Sequence, residues 1–199
     1  MRKVCCVMLA GGINKIPLYE GYQPSYKALL EFNKKKSIEY VLQAVKGSKN
    51  ISRILIIGPV KDLTPIIKDK RIKIIQSKEK ITQDIKSAII YFREEEKILI
   101  TSPDIPLVKA KAFDDFIVAC NGLEGDVLLS IVNKKDLHYD SKKHFLPLKG
   151  GPIAHGNLVM LSTKVPNDKI DIMQEFYEER KKGLLIANVL GTKFLIYFI

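Results

Sequence analysis

Residues 4–12 read VCCVMLAGG, an apolar run that ends at a glycine turn. Such a run is typical of a strand buried on both faces of a parallel sheet. Because side chains alternate along a strand, Cys5 and Cys6 would point to opposite faces. The segment therefore predicts a central strand whose carboxyl end carries a bare turn without bulky side chains.

Strand patterns and amphipathic helix patterns alternate through the rest of the chain. Strands are predicted at 53–57, 72–75, 98–100, 127–132 and 157–161. Helices are predicted at 63–68, 82–92, 109–120, 170–182 and 184–199, and another, capped by Ser37, is predicted to end near Gly47. This alternation predicts a three-layer α/β/α sandwich with a mostly parallel sheet covered on both faces.

The composition is that of an ordinary globular chain with a strong positive charge. The 199 residues include 33 Lys and Arg against 22 Asp and Glu, a formal net charge of +11. The lysines are scattered, so the charge favours a small phosphate-bearing substrate over nucleic acid. The three cysteines form no C-x-x-C pair, which indicates buried thiols in a reducing compartment. With no apolar stretch of about 20 residues and no signal-peptide pattern, we expect a cytoplasmic protein without membrane contact.

Two features fall at predicted strand ends, where open parallel sheets bind their ligands. The first is a turn whose backbone amides can approach a phosphate or a base closely. It consists of Leu9, Ala10, Gly11 and Gly12. Lys27 follows at the far side of a long loop. The second feature is Asp104, between Pro103 and Pro106, a rigidly held carboxylate that suits Mg²⁺.

These motifs together resemble the nucleotidyltransferase family of GT-A-like (Rossmann-related) fold. They read LAGG at 9–12, KALL at 27–30 and SPDIPL at 102–107. The most similar branch is the MobA-like NTP transferase domain, named for molybdenum-cofactor guanylyltransferase. The pair Gly156-Asn157 resembles the family's Gly-Asn segment, where a returning strand lines the acceptor side. The similarity covers most of the chain and is specific through the third motif.

The resemblance implies Mg²⁺-dependent transfer of a nucleotidyl group from an NTP to a small phosphorylated acceptor, with release of pyrophosphate. The glycine turn would bind the nucleotide, with GTP one candidate. Lys27 would neutralise phosphate charge and Asp104 would ligate Mg²⁺, and both would act in catalysis. Gly156 and Asn157 would bind the acceptor.

The resemblance also implies one domain over residues 1–199. Within it, 1–132 would bind the nucleotide, and 133–199 would form the acceptor side and the C-terminal helices. The apolar C-terminal segment leaves a homo-oligomer open.

Three positions differ from the pattern that the family implies. The loop before Lys27 lacks the family's arginine and further glycine, and Lys15 is its cation nearest the glycines. Asp84 stands where small or amide residues usually approach the nucleotide, and an inward carboxylate would repel phosphate. A second metal-binding aspartate, which family members bring from a later strand, has no counterpart before Ile199. The missing aspartate motivates the first alternative, a non-catalytic nucleotide-binding or regulatory domain. A glycosyltransferase that uses a nucleotide sugar ranks third overall, because that fold usually carries an Asp-x-Asp metal motif at the strand end and only Asp104 stands there.

Overall fold

The computed structural model describes residues 3–17, 23, 25–137, 145 and 150–172. Residues 167–172 are helical, in agreement with the start of the helix predicted at 170–182. The remainder of that helix and the helix predicted at 184–199 lie outside the described residues.

The chain alternates strands and helices, with two small ladders inserted after the first strand. In chain order the elements are β1 (Val4–Leu9), β2 (Ile13–Asn14), β3 (Ser25–Tyr26), β4 (Glu31–Phe32), β5 (Lys35–Lys36), α1 (Ser37–Gly47), β6 (Ile51–Gly58), α2 (Val60–Leu63), β7 (Lys73–Gln76), α3 (Ile81–Tyr91), β8 (Lys97–Thr101), α4 (Ala110–Cys120), β9 (Val127–Asn133) and β10 (Ile153–Ser162). The short strands β2 to β5 were not predicted from the sequence, because two-residue ladders carry no periodic signal.

The main sheet has the strand order β7-β6-β1-β8-β10-β9. Strand β1 pairs in parallel with β6 and with β8, and β6 pairs in parallel with β7. Strand β10 runs antiparallel to β8. The prediction of a mostly parallel sheet is confirmed.

Helices cover the sheet on both faces. One buried cluster joins Cys6 of β1 and Leu99 of β8 to side chains from α1 and α4. Helix α3 contacts β1 and β6, and its buried Ile85 and Ala88 lie outside that cluster. Cys5 is also buried and outside the cluster, as expected for the opposite face. The α/β/α sandwich follows from these two sets of contacts.

The chain divides into two compact units. The first comprises residues 1–128 and 157–164, and the second comprises 129–156 and 165–199. Every predicted site residue except Gly156 belongs to the first unit. The assignment of the whole chain to one domain, with an acceptor side at 133–199, stays a prediction.

Candidate functional site

The candidate site lies at the carboxyl edge of the four parallel strands. In the strand register, Met8 lies opposite Thr101 and Leu9 lies opposite Ile57. The strands therefore end at nearly the same level, and the glycine turn after β1 and the loop after β8 emerge side by side. This is the edge where ligands of open parallel sheets bind.

The long loop after β1 returns Lys27 to the glycine turn. Strands β2 and β3 pair with Ile13 opposite Tyr26, which closes the loop at its base. The backbone N–H of Lys27 donates to the carbonyl of Gly12 at 2.8 Å. Because β2 and β3 pair, Lys27 contacts Gly12 directly although the two residues lie far apart along the chain. Lys15, which the sequence offered as a further cation, is exposed within this loop.

Lys27 and Asp104 form an ion pair at this edge. The Nζ atom of Lys27 lies 3.0 Å from Oδ2 of Asp104, and the two side chains are 42% and 26% exposed. The hydroxyl of Ser102 donates to Oδ1 of the same carboxylate. Burial raises the pKa of Asp104, but the hydrogen bonds from Ser102 and Lys27 and the charge of Lys27 outweigh it. The pKa therefore lies below its ordinary value, and the carboxylate is charged at neutral pH.

The loop that carries Asp104 is fastened to the start of α1. The prediction that Ser37 caps this helix is wrong, because Ser37 is its first residue and Lys36 holds the cap position. The hydroxyl of Ser37 instead donates to the carbonyl of Pro103 at 2.7 Å, in a buried position. The N–H of Lys36 donates to the side chain of Glu39 at 2.7 Å, which supplies the cap.

Ser77, in the loop after β7, packs over Gly11 and forms a polar cover. A Cβ atom on Gly11 would lie 2.3 Å from Oγ and 2.8 Å from Cβ of Ser77. Asp84 is buried and holds this cover, accepting hydrogen bonds from the Ser77 hydroxyl at 2.6 Å and from the N–H of Lys78 at 2.7 Å. The Asp84 carboxylate, in α3, is therefore engaged with the loop that precedes its helix, a role that sequence spacing alone does not reveal.

The two predicted acceptor residues lie in β10. Leu158 pairs with Thr101 in the antiparallel register, so the preceding residue, Asn157, lies at the carboxyl end of β8 and is exposed. The structure therefore places Asn157 at the same edge as Asp104. Gly156 belongs to the second unit, where a Cβ on it would lie 2.2 Å from Oγ of Ser130.

The residues at this edge fit a magnesium ion that is shared with a nucleotide. Mg²⁺ is commonly bound by one or two carboxylates, with phosphate oxygens and waters as the remaining ligands. Asp104 offers one partly exposed, ionised carboxylate. Within residues 3–17, 25–137 and 150–172, no group of three or more His, Cys, Asp or Glu side chains could hold a metal. The described residues thus suit a metal that arrives with its phosphates, and not a site built from protein ligands alone.

The sequence of this chain matches a family model over most of its length. The model is that of the MobA-like NTP transferase domain, and it matches residues 6–140. The chain belongs to this family. The resemblance noted in the three motifs is confirmed, and with it the assignment of the chain to the nucleotidyltransferases.

Several known proteins have a similar sequence or fold. A bifunctional protein GlmU from a Nitratiruptor species is 26% identical over 100 residues, which is 50% of this chain and 17% of that protein. The chain thus matches less than a fifth of that relative's length. A hypothetical transferase from Thermus thermophilus has a TM-score of 0.75 at 21% identity, covering 100% of this chain and 81% of that one. The 4-diphosphocytidyl-2C-methyl-D-erythritol synthase of Anaerococcus prevotii has a TM-score of 0.60 at 15% identity, covering 85% and 74%.

Likeness at these levels of identity shows the fold, and the predicted GT-A-like architecture is confirmed by it. In the part of the chain that the structure describes, no helix is both long and apolar enough to cross a membrane.

Proposed function

We propose that this chain catalyses Mg²⁺-dependent transfer of a nucleotidyl group from an NTP to a small phosphorylated acceptor. The observation that carries the proposal is the meeting of Lys27 and Asp104 beside the glycine turn, at the carboxyl edge of β1 and β8. A cation, a carboxylate and nearby backbone amides are the groups that hold a metal-bound polyphosphate.

Each group has a distinct role in this proposal. The amides of the glycine turn bind the nucleotide at close range: Gly12 presents no side chain toward it, and Gly11 lets the turn pack closely against Ser77. Lys27 neutralises negative charge on the phosphates, and Asp104 holds Mg²⁺. The metal supplies stabilisation of the charge that grows on the phosphate oxygens during transfer.

The transfer itself is a substitution at the α-phosphorus. A phosphate oxygen of the acceptor attacks the α-phosphorus and forms a new P–O bond. The bond from the α-phosphorus to the bridging oxygen breaks, and its electron pair leaves with pyrophosphate. No covalent enzyme intermediate is needed, so the work of the protein is alignment of two polyanions and charge stabilisation.

Charge distribution supports the carboxyl edge over the opposite edge as the nucleotide site. A depression at the amino-terminal end of β8 is lined by three carboxylates, those of Glu96, Glu124 and Asp126, against one cation, Lys97. These carboxylates would repel a polyphosphate. At the carboxyl edge, Lys27 faces Asp104, and the net charge of +11 favours the approach of anions in general.

The acceptor is proposed to bind from the side of β10. Asn157 is exposed beside the end of β8, and its amide can both donate to and accept from a phosphorylated molecule. Gly156 precedes it in the strand, and Ser130 fills the space that a side chain at that position would need.

Release of pyrophosphate tests the proposed reaction. The wild-type protein would be incubated with each of four NTPs, Mg²⁺ and a panel of phosphorylated sugars and alcohols, and pyrophosphate would be measured by a coupled assay. We expect acceptor-dependent release, and a fall of about 100-fold or more in Asp104→Asn, because the metal contributes several kcal/mol to the transition state. Asp115→Asn is the matched control, since Asp115 also pairs with a lysine but lies exposed on α4.

Two outcomes would contradict this assignment. Full activity in Asp104→Asn would remove Asp104 from the metal site. Nucleotide binding by the wild-type protein, without pyrophosphate release with any acceptor, would favour a non-catalytic nucleotide-binding domain.

A further inference from the structure

Ser37 makes two hydrogen bonds that connect separate parts of the candidate site. It is the first residue of α1 and is 1% exposed. Its backbone N–H donates to the carbonyl of Leu30 at 2.7 Å. Its hydroxyl donates to the carbonyl of Pro103 at 2.7 Å. One buried residue therefore engages two carbonyls that are distant along the chain.

Each of these carbonyls belongs to a short segment that also carries a proposed catalytic side chain. Leu30 closes the short turn that begins at Lys27, its N–H donating to the Lys27 carbonyl at 3.3 Å. Pro103 directly precedes Asp104. Ser37 therefore connects the two segments by its own hydrogen bonds, independently of the ion pair between Lys27 and Asp104.

The hydroxyl bond has few substitutes in this position. The hydrogen bond between the Ser37 hydroxyl and the Pro103 carbonyl is buried, so water cannot readily replace the donor if the hydroxyl is removed. The backbone bond to Leu30 would survive a change of side chain, but the bond to Pro103 would not. The Asp104 loop would then be free to shift relative to the Lys27 turn.

We propose that Ser37 is a positioning residue for nucleotidyl transfer, which sets the separation of the Lys27 and Asp104 side chains through Leu30 and Pro103. It touches neither substrate nor metal. This inference rests on the proposed function for its catalytic consequence, although its geometric part does not depend on that function.

Three variants test the kinetic part. Ser37→Ala removes the hydroxyl, Ser37→Thr keeps it, and Ser48→Ala is the control. Ser48 is a buried serine just beyond the other end of α1, where its hydroxyl donates to Asp114 at 2.6 Å, away from the carboxyl edge. We expect Ser37→Ala to lower kcat and to raise the Mg²⁺ concentration for half-maximal rate, each by about 10- to 100-fold, because small misplacements cost that much. Ser37→Thr would recover most of both losses, and Ser48→Ala would lower Tm without changing either.

A second measurement needs no turnover. Lys27 would be acetylated with acetic anhydride in the free protein, and its rate measured by peptide mass spectrometry against Lys111, which pairs with Asp115 on α4. In Ser37→Ala, acetylation of Lys27 would rise by about threefold relative to Lys111, the factor that corresponds to loss of a partly exposed ion pair. Ser48→Ala would leave the ratio unchanged.

The two failures can be told apart. Unchanged acetylation of Lys27 in Ser37→Ala would overturn the positioning role whatever the reaction is. The positioning role would also be overturned if Ser37→Ala and Ser48→Ala lowered Tm equally and both kept the wild-type kcat and Mg²⁺ dependence. Absence of nucleotide binding in the wild-type protein would instead overturn the proposed function.

Discussion

Gly11 is the residue whose surroundings at the candidate site are most restrictive. The space that a side chain would need is already filled by Ser77, which Asp84 holds in place. Gly12, its neighbour, is open, since the atom nearest to a Cβ there is Cδ of Lys27 at 4.0 Å. The two glycines therefore serve different purposes, the first close packing and the second access.

Substitution of the two glycines separates these purposes. We expect Gly11→Ala to lower the free energy of unfolding by about 1–3 kcal/mol through overpacking against Ser77, and to weaken NTP binding because the turn must shift. Gly12→Ala would change affinity much less. The double variant Gly11→Ala/Ser77→Gly would regain affinity, since it removes the atoms that the new methyl group meets. Calorimetric titration of each variant measures the effect, and equal affinities of Gly11→Ala and the double variant would contradict the packing argument.

The ion pair at Asp104 predicts a defined dependence of stability on pH. The folded-state pKa of Asp104 is lowered, so the unfolded chain binds a proton more readily, and this residue stabilises the fold more as pH rises. Its contribution is complete above the ordinary aspartate pKa of about 4 and is lost as pH falls through the lower folded value.

The variant Asp104→Asn tests this sign. We expect the wild-type Tm to exceed that of the variant by about 1–3 °C at neutral pH, a small difference because the pair is partly exposed. The difference would shrink below about pH 4. A difference that stayed constant or grew as pH fell, in calorimetric scans of both proteins, would contradict the assigned pKa shift.

The surroundings of some site residues could be predicted from the sequence, and those of others could not. Asp104 could be proposed from its position after a predicted strand, because ligands bind at the carboxyl ends of parallel strands. Lys27 was proposed from its place at the far side of the loop after the first strand and from the family resemblance. The cover over Gly11 could not be predicted, since it depends on how the loop after β7 folds. The role of Ser37 was misassigned for a similar reason: its hydroxyl donates to a carbonyl 66 positions away and not to its own helix.

At the level of elements, α1 is held at both ends by side chains that contact other segments. Ser37 engages Pro103 at its start. Just beyond its end, Asp114 of α4 accepts hydrogen bonds from the Ser48 hydroxyl at 2.6 Å and from the N–H of Asn50 at 3.1 Å. The hydrogen bond from Ser48, the largest cause, lowers the pKa of Asp114. The second contact joins α1, α4 and the start of β6 at the edge away from the candidate site.

Removal of Asp114 should therefore affect stability and spare function. We expect Asp114→Ala to reduce the free energy of unfolding by about 1–3 kcal/mol, since the hydroxyl of the buried Ser48 loses a charged acceptor. Tm would fall by several degrees, roughly 2–4 °C for each kcal/mol. Differential scanning calorimetry measures this loss, and NTP titration at a temperature where the variant is folded serves as the control. An unchanged Tm would show that the contact is not stabilising.

The bounds of the elements were predicted closely where the apolar pattern was long. The predicted helix at 82–92 appears as Ile81–Tyr91, and the predicted strand at 98–100 as Lys97–Thr101. The prediction of a helix at 63–68 was less accurate. In the structure this helix, α2, begins at Val60, after Pro59, and ends at Leu63. A proline favours the first turn of a helix or a position just outside it, and Pro65 therefore marks the region beyond the end of α2.

For the whole molecule, the fold could be predicted because strand and helix patterns alternate over the first two thirds of the chain. Residues 133–152 lack such a periodicity, and only an expected position on the acceptor side could be assigned to them. We propose that residues of this stretch determine acceptor choice, which the fold alone does not specify. The residues proposed to bind the nucleotide, in contrast, all belong to one compact unit.

The edge with Lys27 and Asp104 is proposed to bind a nucleotide together with Mg²⁺. The measurement that tests it most directly is calorimetric titration with ATP, GTP, CTP and UTP, each with and without Mg²⁺. Wild type would be compared with Lys27→Ala and with Lys111→Ala, which removes an ion-paired lysine on α4. We predict that one nucleotide binds in a Mg²⁺-dependent manner, and that Lys27→Ala weakens it by about 10- to 100-fold, the range for a hydrogen bond to a charged group. Lys111→Ala would leave it unchanged. Failure of all four nucleotides to bind the wild-type protein would contradict the account.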